Sequence, residues 1–126
     1  MLNIRANQMA ALNLDGLLRN SATIVEHGNR FHSARCEALG RGALEEFVRD
    51  VITRGASYGI DTMQDMLAFF DLAMVFGLDW STAETRWLHN GMSDRTYTDM
   101  TGRLKGLRRK AIYRLEAAAL EPARAL

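Results

Sequence analysis

The segment MQDMLAFFDLAMVF, Met63 to Phe76, carries apolar side chains at all but three of its positions. On a helix these side chains fall around nearly the whole circumference, which is typical of a helix surrounded by other helices. Thr62 and Asp65 have the spacing of a capping box, and Gly77 follows as a C-terminal cap. We therefore predict a central apolar helix over about 63–76.

An amphipathic helix is predicted upstream of this segment. Between residues 44 and 55, apolar residues recur at offsets of three and four and charged residues fill the other side. The glycines at 40 and 42 precede this helix, and Gly59 is predicted to end it in a left-handed conformation. Residues 15–39 have sparser apolar residues and two glycines, so their helix is predicted to be the least well formed.

A short helix is predicted after the central segment. Ser81 and Glu84 repeat the capping-box spacing, and Trp87 and Leu88 supply the apolar residues that follow. We expect this helix to end before Gly91.

The final helix gives the strongest periodic signal in the chain. Ser93 or Asp94 is predicted to cap it, and Pro122 is predicted to stop it, which gives a helix over about 94–121. Its apolar positions recur at spacings of three and four: Tyr97, Met100, Leu104, Leu107, Ala111, Leu115 and Ala118.

Length and composition predict one folded domain. The chain has 126 residues, of which 48% are hydrophobic and 25% charged, as in globular proteins. The expected fold is all-α, a compact bundle of five or six helices around the central helix, in a single domain over 1–126. Residues 1–14 are predicted to be an arm or a short helix, and residues 122–126 a tail.

The sequence favours a cytoplasmic location. Its longest mainly apolar stretch, 66–78, contains Asp71 and is shorter than the roughly 20 residues that span a bilayer. The N-terminal residues lack the apolar run of a secretory signal. Cys36 is the single cysteine, which fits a reducing compartment.

No pattern for cofactor or metal binding emerges. The glycines form neither of the phosphate-binding loop motifs. His32 and Cys36 are four apart, with His27 upstream, but a zinc site needs three or four ligands, so packing or exposure is the favoured interpretation. We expect no metal, no cofactor and no enzymatic activity.

Asp71 is unusual because it lies between Phe70 and Leu72 in the central segment. We predict that it occupies the solvated edge of that helix or bonds an arginine, Arg54 or Arg86, in the bundle. Buried carboxylates persist mainly when they are paired, and most such pairs are structural.

Charge is distributed unevenly along the chain. Residues 1–94 hold 8 basic and 12 acidic residues, whereas residues 95–126 hold 8 basic and 3 acidic ones. This asymmetry is typical of a surface for an acidic partner, and equally of a helix whose outer face is solvated. The predicted partner-binding residues are Arg103, Arg108, Arg109 and Arg114, with Met92, Tyr97 and Met100 beside them.

Short motifs of packing residues are shared with a known group of proteins. They are Gln8-Met9-x-x-Leu12, Arg54-x-x-x-Tyr58-Gly59-Ile60, Gly77-Leu78-Asp79-Trp80, Trp87-Leu88 and a last helix rich in Leu and Arg. In these the chain resembles small all-helical bacterial proteins that are encoded beside type VI secretion components and their toxins. The group's Phe-Pro pair after the second helix is replaced here by Phe31-His32-Ser33. The resemblance implies an accessory role with a secreted toxin or its carrier.

Three functions stay open at this stage. The leading hypothesis is a non-catalytic adaptor or chaperone that binds a toxin or secretion protein through an apolar groove bordered by the basic last helix. The second is an immunity protein that neutralises a toxin. The third is a nucleic-acid-binding regulator, which the pI of about 8.0 disfavours because such domains are usually more basic. Self-association is compatible with each of them.

Overall fold

The computed structural model describes residues 14–94, 96–97 and 99–125, and all regular structure in this range is helical. The helices are α1 over residues 14–19, α2 Ser21–Phe31, α3 Ser33–Leu39, α4 Arg41–Ser57, α5 Met63–Phe76, α6 Arg86–Met92 and α7 Met100–Ala125. The prediction of an all-α protein with a long C-terminal helix is confirmed. The arm or helix predicted for residues 1–14 lies outside the described residues, apart from the last of them. None of the described helices is long and apolar enough to cross a membrane.

The described helices divide into two compact units. The first unit extends to Leu78 and holds α1 to α5, and the second begins at Asp79 and holds α6 and α7. The organisation of the chain as a single domain stays a prediction.

Helix α5 is the most buried element of the first unit and has the predicted bounds. The N–H of Asp65 donates to Thr62 Oγ1 at 3.2 Å, which is the expected N-terminal cap. Gly77 ends the helix with a φ of 76° and donates its N–H to Ala73 O at 2.8 Å. Apolar residues on several sides of α5 are buried, as its sequence predicts: Met66, Phe69, Phe70, Leu72, Ala73 and Met74. The polar Asp65 is buried as well, which the sequence did not predict.

Helix α4 packs against both α2 and α5 and ends as predicted. Gly59 has a φ of 96° and donates to Ala56 O, while Ile60 N donates to Gly55 O, both at 3.0 Å. These two bonds form a Schellman motif, which satisfies carbonyls at the end of the helix. Ile60, the apolar residue that follows the glycine, is 2% exposed.

The region 15–39, predicted as one weak helix, is divided into α1, α2 and α3. The first break is at Asn20, whose Nδ2 donates to Gly16 O at 2.8 Å, so the side chain competes with the helical backbone. The second break is at His32, whose φ of −133° is not helical. The imidazole of His32 bonds α5 instead, as described below.

In the second unit α6 packs against α7. The predicted Ser81–Glu84 capping box is wrong, because both the N–H and the Oγ of Ser81 donate to Asp79 Oδ1. The helix begins at Arg86 instead and continues through Gly91. A Cβ at position 91 would overlap the side chain of Leu107, so this glycine permits close packing and does not end the helix.

Helix α7 begins at Met100 rather than near residue 94. Asp99 caps it, because its Oδ1 accepts the N–H of Gly102 at 2.7 Å. The predicted cap, Asp94, accepts the N–H of Thr96 at 2.9 Å in a local turn. That backbone hydrogen bond is the main cause that lowers the pKa of Asp94.

The predicted stop before Pro122, and with it the tail over 122–126, is also wrong, because α7 continues to Ala125. A proline lacks the N–H that would bond the carbonyl four residues earlier. Near the C-terminal end of a helix few backbone hydrogen bonds follow the missing one, so its loss interrupts little of the helix. The alanines at 117–119, which have the highest helix propensity, precede the proline and favour continuation.

Candidate protein-binding surface

From Met100 to Ala119, the side chains of α7 change from partly buried to exposed. Leu104, Leu107 and Ala111 are at most 5% exposed and form the packed stripe of the helix. Every residue from Ile112 to Ala119 is exposed. The sequence predicted that the apolar stripe continues inward through Leu115, but Leu115 is 46% exposed.

A second row of side chains runs along α7 and is exposed throughout. It consists of Lys105, Arg108, Ile112, Leu115 and Ala119, at spacings of three, four, three and four. On an α-helix this spacing places all five on one face. We refer to these five residues as the exposed row.

The exposed row has a cationic end and an apolar end. Lys105 and Arg108 begin it, and Ile112 and Leu115, which are 48% and 46% exposed, continue it. Over residues 100–119 the helix holds six basic residues and one acidic residue, Glu116. Such a surface can attract an acidic group and also offers apolar area for burial.

Four of the predicted partner-binding residues are exposed. Arg108 and Arg109 are exposed on α7, and Tyr97 is 40% exposed. Arg114 is also exposed, but its guanidinium lies over the Trp87 ring at 4.5 Å from the centroid. This cation–π contact holds Arg114 on α6 in the second unit.

The other three predicted residues contribute to packing. Met92 is 1% exposed, so burial gives it a core role in the second unit. Arg103 is partly buried and its Nη1 donates to Met92 O at 3.3 Å. Met100 is partly buried at the start of α7. The partner-binding role of the whole set stays a prediction.

Sequence reasoning missed Ile112 and the exposed position of Leu115. Helical periodicity showed one apolar stripe, and Leu115 was assigned to it because it lies four residues after Ala111. The spacing of residues 105, 108, 112, 115 and 119 was the available signal for a second row. Periodicity does not say where packing along a helix stops, since that depends on the neighbouring helix.

A polar cluster in the first unit joins the break between α2 and α3 to α5. His27 Nε2 and His32 Nε2 both lie 2.8 Å from Asp71 Oδ1, and the Asp71 side chain is 42% exposed. The prediction that Asp71 occupies a solvated edge of α5 is confirmed, but its partners are histidines, not Arg54 or Arg86. The Asp71 carboxylate thereby links α2, through His27, and the break after α2, through His32, to α5.

Removal of this carboxylate gives a direct test of its role. Asp71→Ala is expected to lower the free energy of unfolding by about 1 to 2 kcal/mol, since two hydrogen bonds to a half-exposed charge are lost. Urea unfolding followed by circular dichroism measures the change. The matched control is Asp50→Ala on the exposed side of α4, with an expected effect below about 0.5 kcal/mol. Equal effects of the two variants would show that the cluster is not stabilising.

Within the described ranges, no three His, Cys, Asp or Glu side chains form a group that could hold a metal ion. Cys36 is 3% exposed, and burial raises the pKa of its thiol, which disfavours the reactive thiolate. The contacts of His27 and His32 with Asp71 link α2 and the break after it to α5.

A shallow groove of about 480 Å³ lies between α2 and α4 in the first unit. Its rim carries both signs of charge, with Glu26 and Glu45 beside Arg41 and Arg49. Arg41 is already paired with Glu45 at 3.3 Å. This mixture does not favour either an anionic or a cationic ligand.

Comparison of the chain with protein-family models, curated proteins and solved structures gave no match. The described residues form a helical protein in which α7 exposes both apolar and basic side chains.

Proposed function

We propose that this protein is a non-catalytic helical adaptor or chaperone that binds a secreted toxin or a secretion-system protein through α7. The exposed row carries the proposal. Helix α7 buries its apolar stripe as far as Ala111 and then exposes Ile112, Tyr113 and Leu115. Contact of this apolar area with water is unfavourable, so its burial by a partner would be favourable.

The nature of the side chains supports a protein partner. Burial of aliphatic side chains such as Ile112 and Leu115 against another apolar surface lowers the free energy by roughly 25 cal/mol per Å² of buried area. A nucleic acid offers mainly phosphates and base edges, which select for polar and basic contacts. The chain as a whole has a net charge of only +1, which gives weak general attraction to phosphates.

The proposed setting comes from the resemblance to helical proteins encoded beside type VI secretion components and toxins. The same proposal places the protein in the cytoplasm, where a lone buried cysteine such as Cys36 remains reduced. An adaptor of this kind binds its client before export, so its binding surface has to be exposed in the unbound protein.

Site-specific photo-crosslinking tests the proposal. A photoreactive amino acid replaces Ile112 in the full chain, expressed in the cells from which the gene comes. The control carries the same amino acid at Thr53, an exposed position of α4. We expect position 112 to give an adduct with a toxin or secretion protein, identified by mass spectrometry, that position 53 does not give. Equal adduct yields at both positions, or adducts with nucleic acid alone, would contradict the proposal.

A further inference from the structure

We infer that the exposed row binds an acidic amphipathic α-helix of the partner protein, side by side with α7. This inference rests on the proposed function, and it adds the secondary structure and the charge of the segment that is bound.

The spacing of the exposed row indicates a helical occupant. Alternating steps of three and four residues are those by which two helices interlock their side chains along a shared seam. From Lys105 to Ala119 the row extends over about 21 Å at 1.5 Å per residue, or roughly four helical turns. All of its members are exposed, so the seam is accessible along its length.

The chemistry of the row sets the composition of that helix. Opposite Ile112, Leu115 and Ala119 the partner needs apolar side chains, and the small Ala119 permits close approach. Opposite Lys105 and Arg108 it needs carboxylates, because an apolar or cationic residue there would leave two positive charges unpaired. The bound helix therefore has an acidic end and an apolar end.

Charge argues against a second copy of the chain in this position. Over residues 100–119, two α7 helices side by side would bring together six basic residues and one acidic residue from each copy. Basic residues elsewhere on α7, such as Arg109 and Lys110, lie outside the exposed row and reinforce the attraction for an acidic helix.

Three synthetic 21-residue helical peptides test the inference. Each repeats leucine at the seam positions that face the apolar end, and they differ only at the positions that face Lys105 and Arg108, which are Glu, Gln or Lys. Fluorescence anisotropy with the full chain measures their affinities at low and at high salt. We expect the Glu peptide to bind about tenfold more tightly than the Gln peptide, and the Lys peptide to bind least. The differences in affinity among the three peptides should become smaller as the salt concentration rises.

Variants of the chain locate the effect. Arg108→Glu is expected to reverse the preference between the Glu and Lys peptides, and Ile112→Ser to weaken all three peptides. Lys110→Glu, which changes the same charge outside the row, should keep the order of affinities. All three positions are exposed, and circular dichroism verifies that each variant is folded.

The outcomes separate this inference from the proposed function. Equal binding of the three peptides would contradict the acidic character of the bound segment. Failure of all three peptides to bind would contradict its helical structure. The crosslink at position 112 tests the contact surface independently of both. Sedimentation that shows a dimer lost in Ile112→Ser would assign the row to a second copy. Binding of a 20-nucleotide single-stranded DNA that is lost in Arg108→Glu but kept in Ile112→Ser would assign it to nucleic acid.

Discussion

Replacement of Phe70 by alanine is expected to lower the free energy of unfolding by about 3 to 5 kcal/mol, as for other large-to-small core changes. Phe70 is fully buried, and its ring makes edge contacts with Phe47, His27 and His32 at centroid distances of 5.9 to 6.1 Å. The cavity would open beneath the histidine pair that Asp71 holds. Urea unfolding followed by far-ultraviolet circular dichroism measures the loss.

Phe31→Ala is the matched control, because it removes the same atoms from a ring that is 62% exposed. That ring contacts His27 at a centroid distance of 4.8 Å and the exposed Arg30 guanidinium at 5.4 Å. Its effect should stay below about 1 kcal/mol, as for most surface substitutions. Similar losses for the two variants would mean that Phe70 is not a core residue of the first unit.

Replacement of Gly91 by alanine is expected to destabilise the second unit. The new Cβ would overlap a methyl group of Leu107 and lie 2.9 Å from its Cγ, while Leu107 is only 2% exposed and has little room to move. Overpacking of this kind costs about 1 to 3 kcal/mol. Alanine returns about 1 kcal/mol through its higher helix propensity, so a net loss of up to about 2 kcal/mol is expected.

Tryptophan fluorescence during urea unfolding measures this change, because both tryptophans, Trp80 and Trp87, lie in the second unit. Gly42→Ala in α4 serves as the control, since no atom lies within 4 Å of the new Cβ; it lies in the first unit, so its unfolding is followed by far-ultraviolet circular dichroism. It is expected to be neutral or to stabilise the protein by up to about 1 kcal/mol. Equal stability of the two variants would rule out the close approach of α6 and α7 at Gly91.

The parts of the fold that follow from local chemistry could be predicted from the sequence. The bounds of α5 follow from its apolar run, from the Thr62 hydroxyl and from Gly77, all of which act within a few residues. Gly59 ends α4 for a similar reason, because a positive φ and an apolar Ile60 suffice for the Schellman motif.

Other boundaries depend on competition between local signals, which the sequence does not resolve. Ser81 was predicted to cap a helix, but Asp79 lies two residues away and accepts its hydrogen bonds. Asp94 and Asp99 are both good caps, and α7 begins after the second of them. In each case the predicted capping residue makes its hydrogen bonds in a different turn.

The candidate surface could be predicted only in part. The basic character of α7 is evident from composition, and Arg108 and Arg109 are exposed as expected. The extent of burial along α7 depends on how far the neighbouring α6 packs beside it, so helical spacing alone does not predict the exposure of Ile112 and Leu115. The link between His27, His32 and Asp71 joins positions up to 44 residues apart and has no local signal.

Residues 112–119 are helical although none of their side chains is buried. A segment that folds only when it binds loses conformational entropy at that moment, which weakens the complex. Here the backbone of residues 112–119 is already helical in the unbound chain, so its conformational entropy is lost when the protein folds and not when a partner binds. A partner would meet a preorganised surface, and the rate of association would be set by diffusion and electrostatic steering without a folding step.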